Sequence, residues 1–194
     1  MVDTKQGLPI MSFGSVRKFE TWLGSQHRAS SGIWLKIAKK DSGIASITYA
    51  QALEIALCHG WIDGQKAPFD GTWWLQKFTP RGPRSKWSKI NRAKALELIG
   101  TGRMRPAGRA AVEEAQRTGR WERAYDSQRT ATVPDDLQRE LDRAPEAAAF
   151  FKTLNSINRY AILYRLQAVK TPQARARRIR QFVDMLGRHE KIHP

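Results

Sequence analysis

The spacing of the apolar residues changes once along the chain, near residue 80, and this change most constrains the fold. Before it, Ile33, Leu35 and Ile37 alternate with other residues, which is typical of a half-buried β-strand. From Ser85 onward, apolar residues recur only at the three- and four-residue spacing of helices. The sequence therefore predicts an α+β protein, mainly α, with an all-helical C-terminal half.

A β-hairpin is predicted around Asp70-Gly71, a dipeptide that favours tight turns between strands. Residues 65–69 and 73–79 flank this turn and have strand character. Pro68 lacks a backbone N–H, so the first arm is expected at a sheet edge. Together with a strand at 33–39, the hairpin predicts a small antiparallel three-stranded sheet packed with helices.

The helices are indicated by their start and stop signals. Ser15 precedes a helical pattern that suits an end at Gly24, and Thr48–Gln51 forms a capping box for a helix that ends near Gly60. Later helices are predicted to open at Pro106, at Asp135-Asp136, at Pro145 and at Thr171-Pro172.

No long linker interrupts the chain, but composition suggests an organisation. Residues 1–12 are expected to form a flexible tail, and residues 13–125 an α+β subdomain that contains a Trp/Arg-rich segment. The polar stretch Tyr125–Val133 lacks helical spacing and is the predicted boundary. Residues 134–194 are expected to form a helical C-terminal subdomain, packed as one unit.

The charge balance restricts the partners. Lys and Arg number 34 against 18 Asp and Glu, a formal net charge of +16. Such a field attracts nucleic acid, other phosphates, anionic membranes or acidic proteins, although solubility or an Arg-rich composition explains it equally well. Cys58 is the single cysteine, and no stretch approaches the ~20 apolar residues of a membrane helix. We expect a cytoplasmic protein without a membrane span.

The segment Gly60–Arg92 is the candidate ligand site, because it holds four of the seven tryptophans among many cations. An aromatic face can stack a ring while neighbouring cations hold a phosphate or carboxylate. Residues 81–85 are predicted to run as a loop into a helix N-terminus, which favours anions. The predicted ligand-binding residues are Trp61, Asp63, Lys66, Trp74, Arg81, Arg84, Lys86, Trp87 and Asn91. Alternatively, Trp61, Trp74 and Trp87 fill the seam between sheet and helices.

Catalytic and metal-binding patterns are weak. Asp63 has no second acid close in sequence for acid–base work. Cys58 and His59 are adjacent on a predicted helix and point in different directions, so they do not share a metal. His27, His189 and His193 are scattered. The sequence predicts no catalytic residue, no metal and no cofactor.

Several motifs resemble a known family. They are Cys58–Gln65, Phe78–Arg81, Ser85–Asn91, Gly102–Met104 with Pro106–Gly108, Gly119–Trp121, and Lys170–Ile179. This set resembles the bacterial YdeI/OmpD-associated family, also called bacteriocin-protection proteins, from about Phe13 to Gly187. The resemblance implies a role in tolerance of cationic antimicrobial peptides and other envelope stress. It implies no agreed catalytic residues and no cofactor.

Two functional hypotheses follow, with a third beside them. The first is a non-catalytic protein that binds an anion or nucleic acid. The second is an enzyme on a small anionic substrate, with Arg81 and Lys86 as clamps, Asp63 as base and Trp61 as a wall. The third is an adaptor whose Trp-rich segment is only core. A basic protein repels cationic peptides, so stress protection is expected to be indirect.

Overall fold

The computed structural model describes residues 3–194. Its contacts divide the chain into two compact units. Unit 1 contains the chain up to Trp87 together with Asn91–Ala124, and unit 2 contains Ser88–Ile90 together with Tyr125–Pro194. The subdomain limits drawn from the sequence, 13–125 and 134–194, stay predictions, because a division by contacts does not show which part folds alone.

Unit 1 is built on a mixed sheet, for which the described residues supply five strands. They are β1 (Thr4–Lys5), β2 (Leu8–Ser12), β3 (Ile33–Ala38), β4 (Trp61–Pro68) and β5 (Trp73–Pro80). The spatial order is β1-β2-β3-β5-β4. Strand β2 runs parallel to β3, and every other neighbouring pair is antiparallel.

The prediction of an antiparallel three-stranded sheet is therefore wrong. The expectation of a flexible tail is also wrong where the chain is described, because β1 and β2 lie within residues 4–12; Met1 and Val2 lie outside the described residues. The pairing of Ile10 with Trp34 and of Met11 with Leu35 holds β2 in place. This pairing joins distant segments, so it leaves no local periodic pattern.

Two helices cover one face of the sheet, α1 (Val16–Gln26) and α2 (Tyr49–Cys58). The predicted capping box of α2 is confirmed: Thr48 Oγ1 accepts from the Gln51 N–H at 3.3 Å, and Gln51 Oε1 accepts from the Thr48 N–H at 3.0 Å. The core between helices and sheet contains Phe13, Phe19, Leu23, Ile33, Leu35, Ile37, Ile47, Ala52, Ile55, Ala56, Trp61 and Phe78. It includes the apolar side of β3 that the alternation predicted.

The hairpin of β4 and β5 is confirmed. Asp70 Oδ1 accepts hydrogen bonds from the backbone N–H groups of Thr72 and Trp73, each at 2.8 Å, which fixes the turn. Strand β4 lies at the edge of the sheet, as its proline predicted. A register shift between Asp63 and Lys66 bends this edge strand.

Helices α3 (Lys89–Gly100) and α4 (Pro106–Arg117) follow the sheet, and α4 approaches the end of α2 closely. A Cβ on Gly108 would overlap Met104 Sδ and the Cys58 carbonyl oxygen. Gly60 has a φ of +73°, and a Cβ there would lie 2.8 Å from the Ala107 carbonyl oxygen. Both glycines are therefore required by the close approach of two backbones.

Unit 2 contains four helices of the described chain: α5 (Asp135–Asp142), α6 (Pro145–Thr153), α7 (Ser156–Gln167) and α8 (Pro172–Gly187). The predicted start of α8 is confirmed, since Thr171 Oγ1 accepts from the Ala174 N–H and Pro172 occupies the first turn. The core contains Leu137, Leu141, Ala147, Phe151, Leu154, Ile162, Leu163, Leu166, Ile179, Phe182 and Leu186.

Candidate functional site

A groove lined by lysines lies beside the hairpin of unit 1. It encloses about 590 Å³, and we call it the lysine groove. Its lining residues are Lys39, Lys40, Lys66, Ala67, Pro68 and Trp74. None of them is acidic; Asp41 follows Lys40 in the chain but does not line the groove. The groove therefore concentrates positive charge around an aromatic ring.

Lys66 and Trp74 form the centre of this groove. The Lys66 Nζ atom lies 4.4 Å from the centroid of the Trp74 ring, within the range of a cation–π interaction. Lys66 is exposed and Trp74 is half-buried, so both remain accessible to a ligand. The Tyr49 ring, 6.3 Å from the Trp74 ring, supports it from α2.

The other two lysines differ in their surroundings. Lys39 Nζ donates to the carbonyl oxygens of Asp70 and Gly71 at 2.8 and 3.0 Å, so it ties the hairpin turn to the end of β3. Lys40 lines the groove and is exposed to solvent. Lys39 therefore stabilises the hairpin turn between the two strands beside the groove.

A second cavity, the arginine cleft, encloses about 220 Å³. It is lined by Arg81, Gly82, Pro83, Ser85, Trp87, Ala111, Glu114, Ala115 and Arg120. The Arg81 Cζ atom lies 3.6 Å from the Trp87 ring centroid, and Arg81 Nη1 donates to the Lys86 carbonyl oxygen at 3.2 Å. The guanidinium is thus stacked on a buried tryptophan.

Glu114 places a negative charge in the arginine cleft. Its Oε2 atom lies 2.7 Å from Arg117 Nη2, and its Oε1 atom lies 3.4 Å from Arg120 Nη2. Hydrogen bonding from Arg117, with a smaller contribution from Arg120, lowers the pKa of Glu114 and keeps it ionised. The Glu114 carboxylate offsets the positive charge of the two arginines that line the cleft, Arg81 and Arg120. The cleft therefore suits an anion less well than the lysine groove does.

Three further residues separate the predicted loop at residues 81–85 from the helix that follows it. Helix α3 begins at Lys89, and the preceding residues form a turn in which the Gly82 N–H donates to Ser85 Oγ at 3.1 Å. The Ser85 N–H donates back to the Gly82 carbonyl oxygen at 3.0 Å. Paired hydrogen bonds within the turn compete with helix formation at this point.

The nine residues predicted from the sequence are distributed over separate places. Lys66 and Trp74 line the lysine groove, and Arg81 and Trp87 line the arginine cleft. Trp61 and Trp87 are buried, as the packing interpretation predicted. Arg84 and Lys86 are exposed and line neither cavity.

Asp63 and Asn91 belong to a hydrogen-bonded cluster. Asp63 Oδ2 accepts from the Tyr49 hydroxyl at 2.8 Å, and Asn91 Nδ2 donates to Asp63 Oδ1 at 3.4 Å. Asn91 is buried. Asp63 lines neither the lysine groove nor the arginine cleft, so the structure does not join it with Arg81 and Trp61 in either cavity.

Sequence reasoning missed Lys39, Lys40 and Arg120. A signal existed for the two lysines: Lys39 ends the predicted strand 33–39, and Lys40 lies between that strand and the turn residues Asp41-Ser42-Gly43. No local signal marks Arg120, because its position beside Trp87 depends on the packing of α4. The hairpin reaches the two lysines only through the β3–β5 pairing.

Residues 3–194 lack two features, a metal-binding cluster and a helix able to cross a membrane. That range contains no group of three or more His, Cys, Asp or Glu side chains placed to hold a metal ion. Within it, no helix combines the length and apolar character needed to cross a membrane. Burial raises the pKa of the Cys58 thiol, which keeps it protonated and unreactive.

The fold and the groove together define an α+β protein with a mixed sheet and a lysine-rich surface site. The chain belongs to the family described as Domain of unknown function (DUF8412), whose model matches residues 11–111. Residues 130–189 match the model of the family Bacteriocin-protection, YdeI or OmpD-Associated, which confirms the predicted resemblance. The motifs between Cys58 and Gly108 lie in the first match. No curated protein and no solved structure matches the chain.

Proposed function

We propose that the protein is a non-catalytic binding protein for a phosphate-bearing anion, which it holds in the lysine groove. The observation that carries this proposal is the lining itself: three lysines and a tryptophan, without an acid. A role in stress tolerance, exercised from the cytoplasm, is part of this proposal, and the match of residues 130–189 to the bacteriocin-protection family supports the tolerance role.

The size and charge of the groove support such a ligand. A volume of about 590 Å³ lies within the roughly 300–1,000 Å³ of pockets that take small organic ligands. Ammonium groups bind phosphate oxygens as mobile point charges and do not demand one fixed geometry. The groove therefore suits a flexible phosphate chain better than a single rigid substrate.

The contacts of Asp63 favour binding over catalysis. A general base needs a free path to the proton that it removes. The Asp63 carboxylate instead accepts hydrogen bonds from Tyr49 and Asn91, which hold it in the structure. Asp63 does not line the arginine cleft, which Arg81 lines. The geometry therefore does not support Asp63 as a catalytic base for a substrate held by Arg81.

Calorimetric titration with inorganic polyphosphate across a salt series tests the proposal. Affinity is expected at low salt and to fall steadily as salt rises, because binding releases counterions. Lys40→Gln and Lys66→Gln are each expected to weaken binding by about 2- to 5-fold, as exposed charge contacts do. Lys18→Gln, an exposed lysine on α1, is the matched control and should bind as the parent does.

Absence of binding at low salt would refute the proposal. Equal losses in Lys18→Gln and Lys40→Gln would also refute it, because they would show attraction by net charge alone. A direct pull-down of a cationic peptide by the protein would refute an indirect role in stress protection. The Lys40→Gln, Lys66→Gln double variant, expressed in cells that lack the parent gene, should restore bacteriocin tolerance less well than Lys18→Gln.

A further inference from the structure

The face of the sheet opposite α1 and α2, which we call the outer sheet face, carries aromatic rings with lysines beside them. Strand alternation assigns Trp34 and Lys36 of β3, and Trp73, Leu75 and Lys77 of β5, to this face. Trp34 and Leu75 pack there with Leu8, in a cluster separate from the core under the helices. We propose that this face stacks the bases of single-stranded nucleic acid whose phosphates lie in the lysine groove, an inference that rests on the proposed function.

Lys36, Phe69 and Trp73 form the part of the face best suited to stack a base. Lys36 Nζ lies 4.3 Å from the Phe69 ring centroid and 4.8 Å from the Trp73 ring centroid. Phe69 is 38% exposed, a high value for a phenylalanine, and Trp73 is half-buried. Two accessible rings with an ammonium group between them offer stacking for bases and a contact for the phosphate that joins them.

A second cation–aromatic group continues across the same face. Lys5 Nζ and Lys77 Nζ lie 5.5 and 5.8 Å from the ring centroid of Trp34, one from each side of β3. Trp34 itself is buried beneath the two lysines. Its ring supports the lysine side chains, and in the proposed complex the ammonium groups contact the nucleic acid.

The strands place lysines and no acid on the outer sheet face, and Asp70 of the hairpin turn is an acid that interacts electrostatically with Lys36. The five strands contain a single acidic residue, Asp63, and its carboxylate bonds to Tyr49 of α2 on the other face. The outer face thus carries Lys5, Lys36 and Lys77 without an opposing acid on the strands. Three lysines beside the accessible rings of Phe69 and Trp73 complement a polyanion with aromatic groups, which describes an unpaired nucleic acid strand.

The lysine groove and the outer sheet face meet at the edge strand β4. Ala67 of the edge strand lines the groove and also packs against the Trp34–Leu75 cluster of the outer face. Phe69 follows Pro68 of the groove directly in the chain. A nucleic acid strand whose phosphates occupy the groove can therefore pass the hairpin and place its bases against Phe69 and Trp73.

Duplexes bury their base faces by stacking, so the proposal requires preference for single strands. The test is fluorescence anisotropy with three ligands: a labelled oligo-dT, its duplex of equal length, and inorganic polyphosphate. Oligo-dT is expected to bind more tightly than the duplex. Phe69→Ala should weaken oligo-dT binding by about 5- to 150-fold, the effect of one lost stacking contact, and leave polyphosphate binding unchanged. Phe69→Tyr, which keeps a ring, should retain the affinity.

The matched control is Leu96→Ala, which removes another exposed apolar side chain from α3 of unit 1. It should not change oligo-dT binding. Equal loss in Leu96→Ala and Phe69→Ala, or equal affinity for duplex and single strand, would overturn the proposal. So would binding of poly-glutamate as tight as that of oligo-dT. If polyphosphate binds and Phe69→Ala has no effect on oligo-dT, this inference fails while the proposed function stands.

Discussion

Arg175 of α8 holds Asp136 of α5 by two hydrogen bonds, Nε to Oδ2 at 2.5 Å and Nη2 to Oδ1 at 2.9 Å. Its third nitrogen, Nη1, donates to the Leu166 carbonyl oxygen near the end of α7 at 2.9 Å. One side chain thus joins three helices of unit 2. Arg175 belongs to the motif Lys170–Ile179, and its contacts make it a structural residue.

Loss of the two-point contact between Arg175 and Asp136 is expected to destabilise unit 2. Arg175→Lys keeps the charge but removes the planar two-point contact, so we expect a loss of about 1–3 kcal/mol in the free energy of unfolding. Urea denaturation measures it. Arg177→Lys, an exposed arginine on the same helix, is the control and should unfold as the parent does. Equal stability of Arg175→Lys and the parent would contradict the structural role.

Gly108 should not tolerate a side chain. In Gly108→Ala the new Cβ would meet backbone oxygens at the end of α2, with the Leu57 oxygen 2.7 Å away, so α4 must move. We expect a loss of about 1–3 kcal/mol or more in the free energy of unfolding. Gly100→Ala is the matched control, since nothing lies within 4 Å of its Cβ and its change should stay below about 1 kcal/mol. A stable Gly108→Ala protein would show that α2 and α4 lie further apart.

His59 is expected to make the stability of unit 1 sensitive to mild acid. Burial, and then the positive fields of His27 and Arg105, lower its pKa from the usual 6.5, while Glu20 opposes them. The unfolded chain therefore binds the proton more readily than the folded one. The free energy of unfolding should fall as the pH drops below about 6.5 toward the lower folded pKa.

Urea denaturation between neutral pH and the onset of carboxylate protonation measures this effect. His59→Gln should flatten the pH dependence in that window, because it removes the buried titrating group. A slope that persists in His59→Gln would assign the effect to another group.

Tyr160 should ionise only at very high pH. Its hydroxyl donates to the Asp126 carbonyl oxygen at 2.7 Å, and burial, with the nearby Tyr125, Tyr164 and Asp126, raises its pKa to about 12. The unfolded tyrosine ionises near pH 10, so stability should fall as the pH rises from about 10 to 12. Tyrosinate absorbance measures the titration, and Tyr160→Phe should remove its last step. An unchanged last step in Tyr160→Phe would contradict the assignment.

Much of the local structure could be predicted from the sequence. The capping box at Thr48 and Gln51, the turn at Asp70-Gly71 and the edge position of β4 each depend on a few neighbouring residues, and the structure confirms them. The candidate site was harder to predict. The sequence predicts Lys66 and Trp74 as ligand-binding residues, and both line the lysine groove; Lys40 reaches the groove through strand pairing, and Trp61 lies in the core.

The sequence by itself determined which residues prefer strand or helix, where helices begin, and the excess of positive charge. Only the tertiary structure decided that β2 adds to β3 in parallel, and that Lys36 lies between Phe69 and Trp73. The physical reason is that periodicity records only which side of an element is apolar. Which strands pair, and which side chains then share a surface, depends on backbone edges and packing between segments that are far apart in the chain.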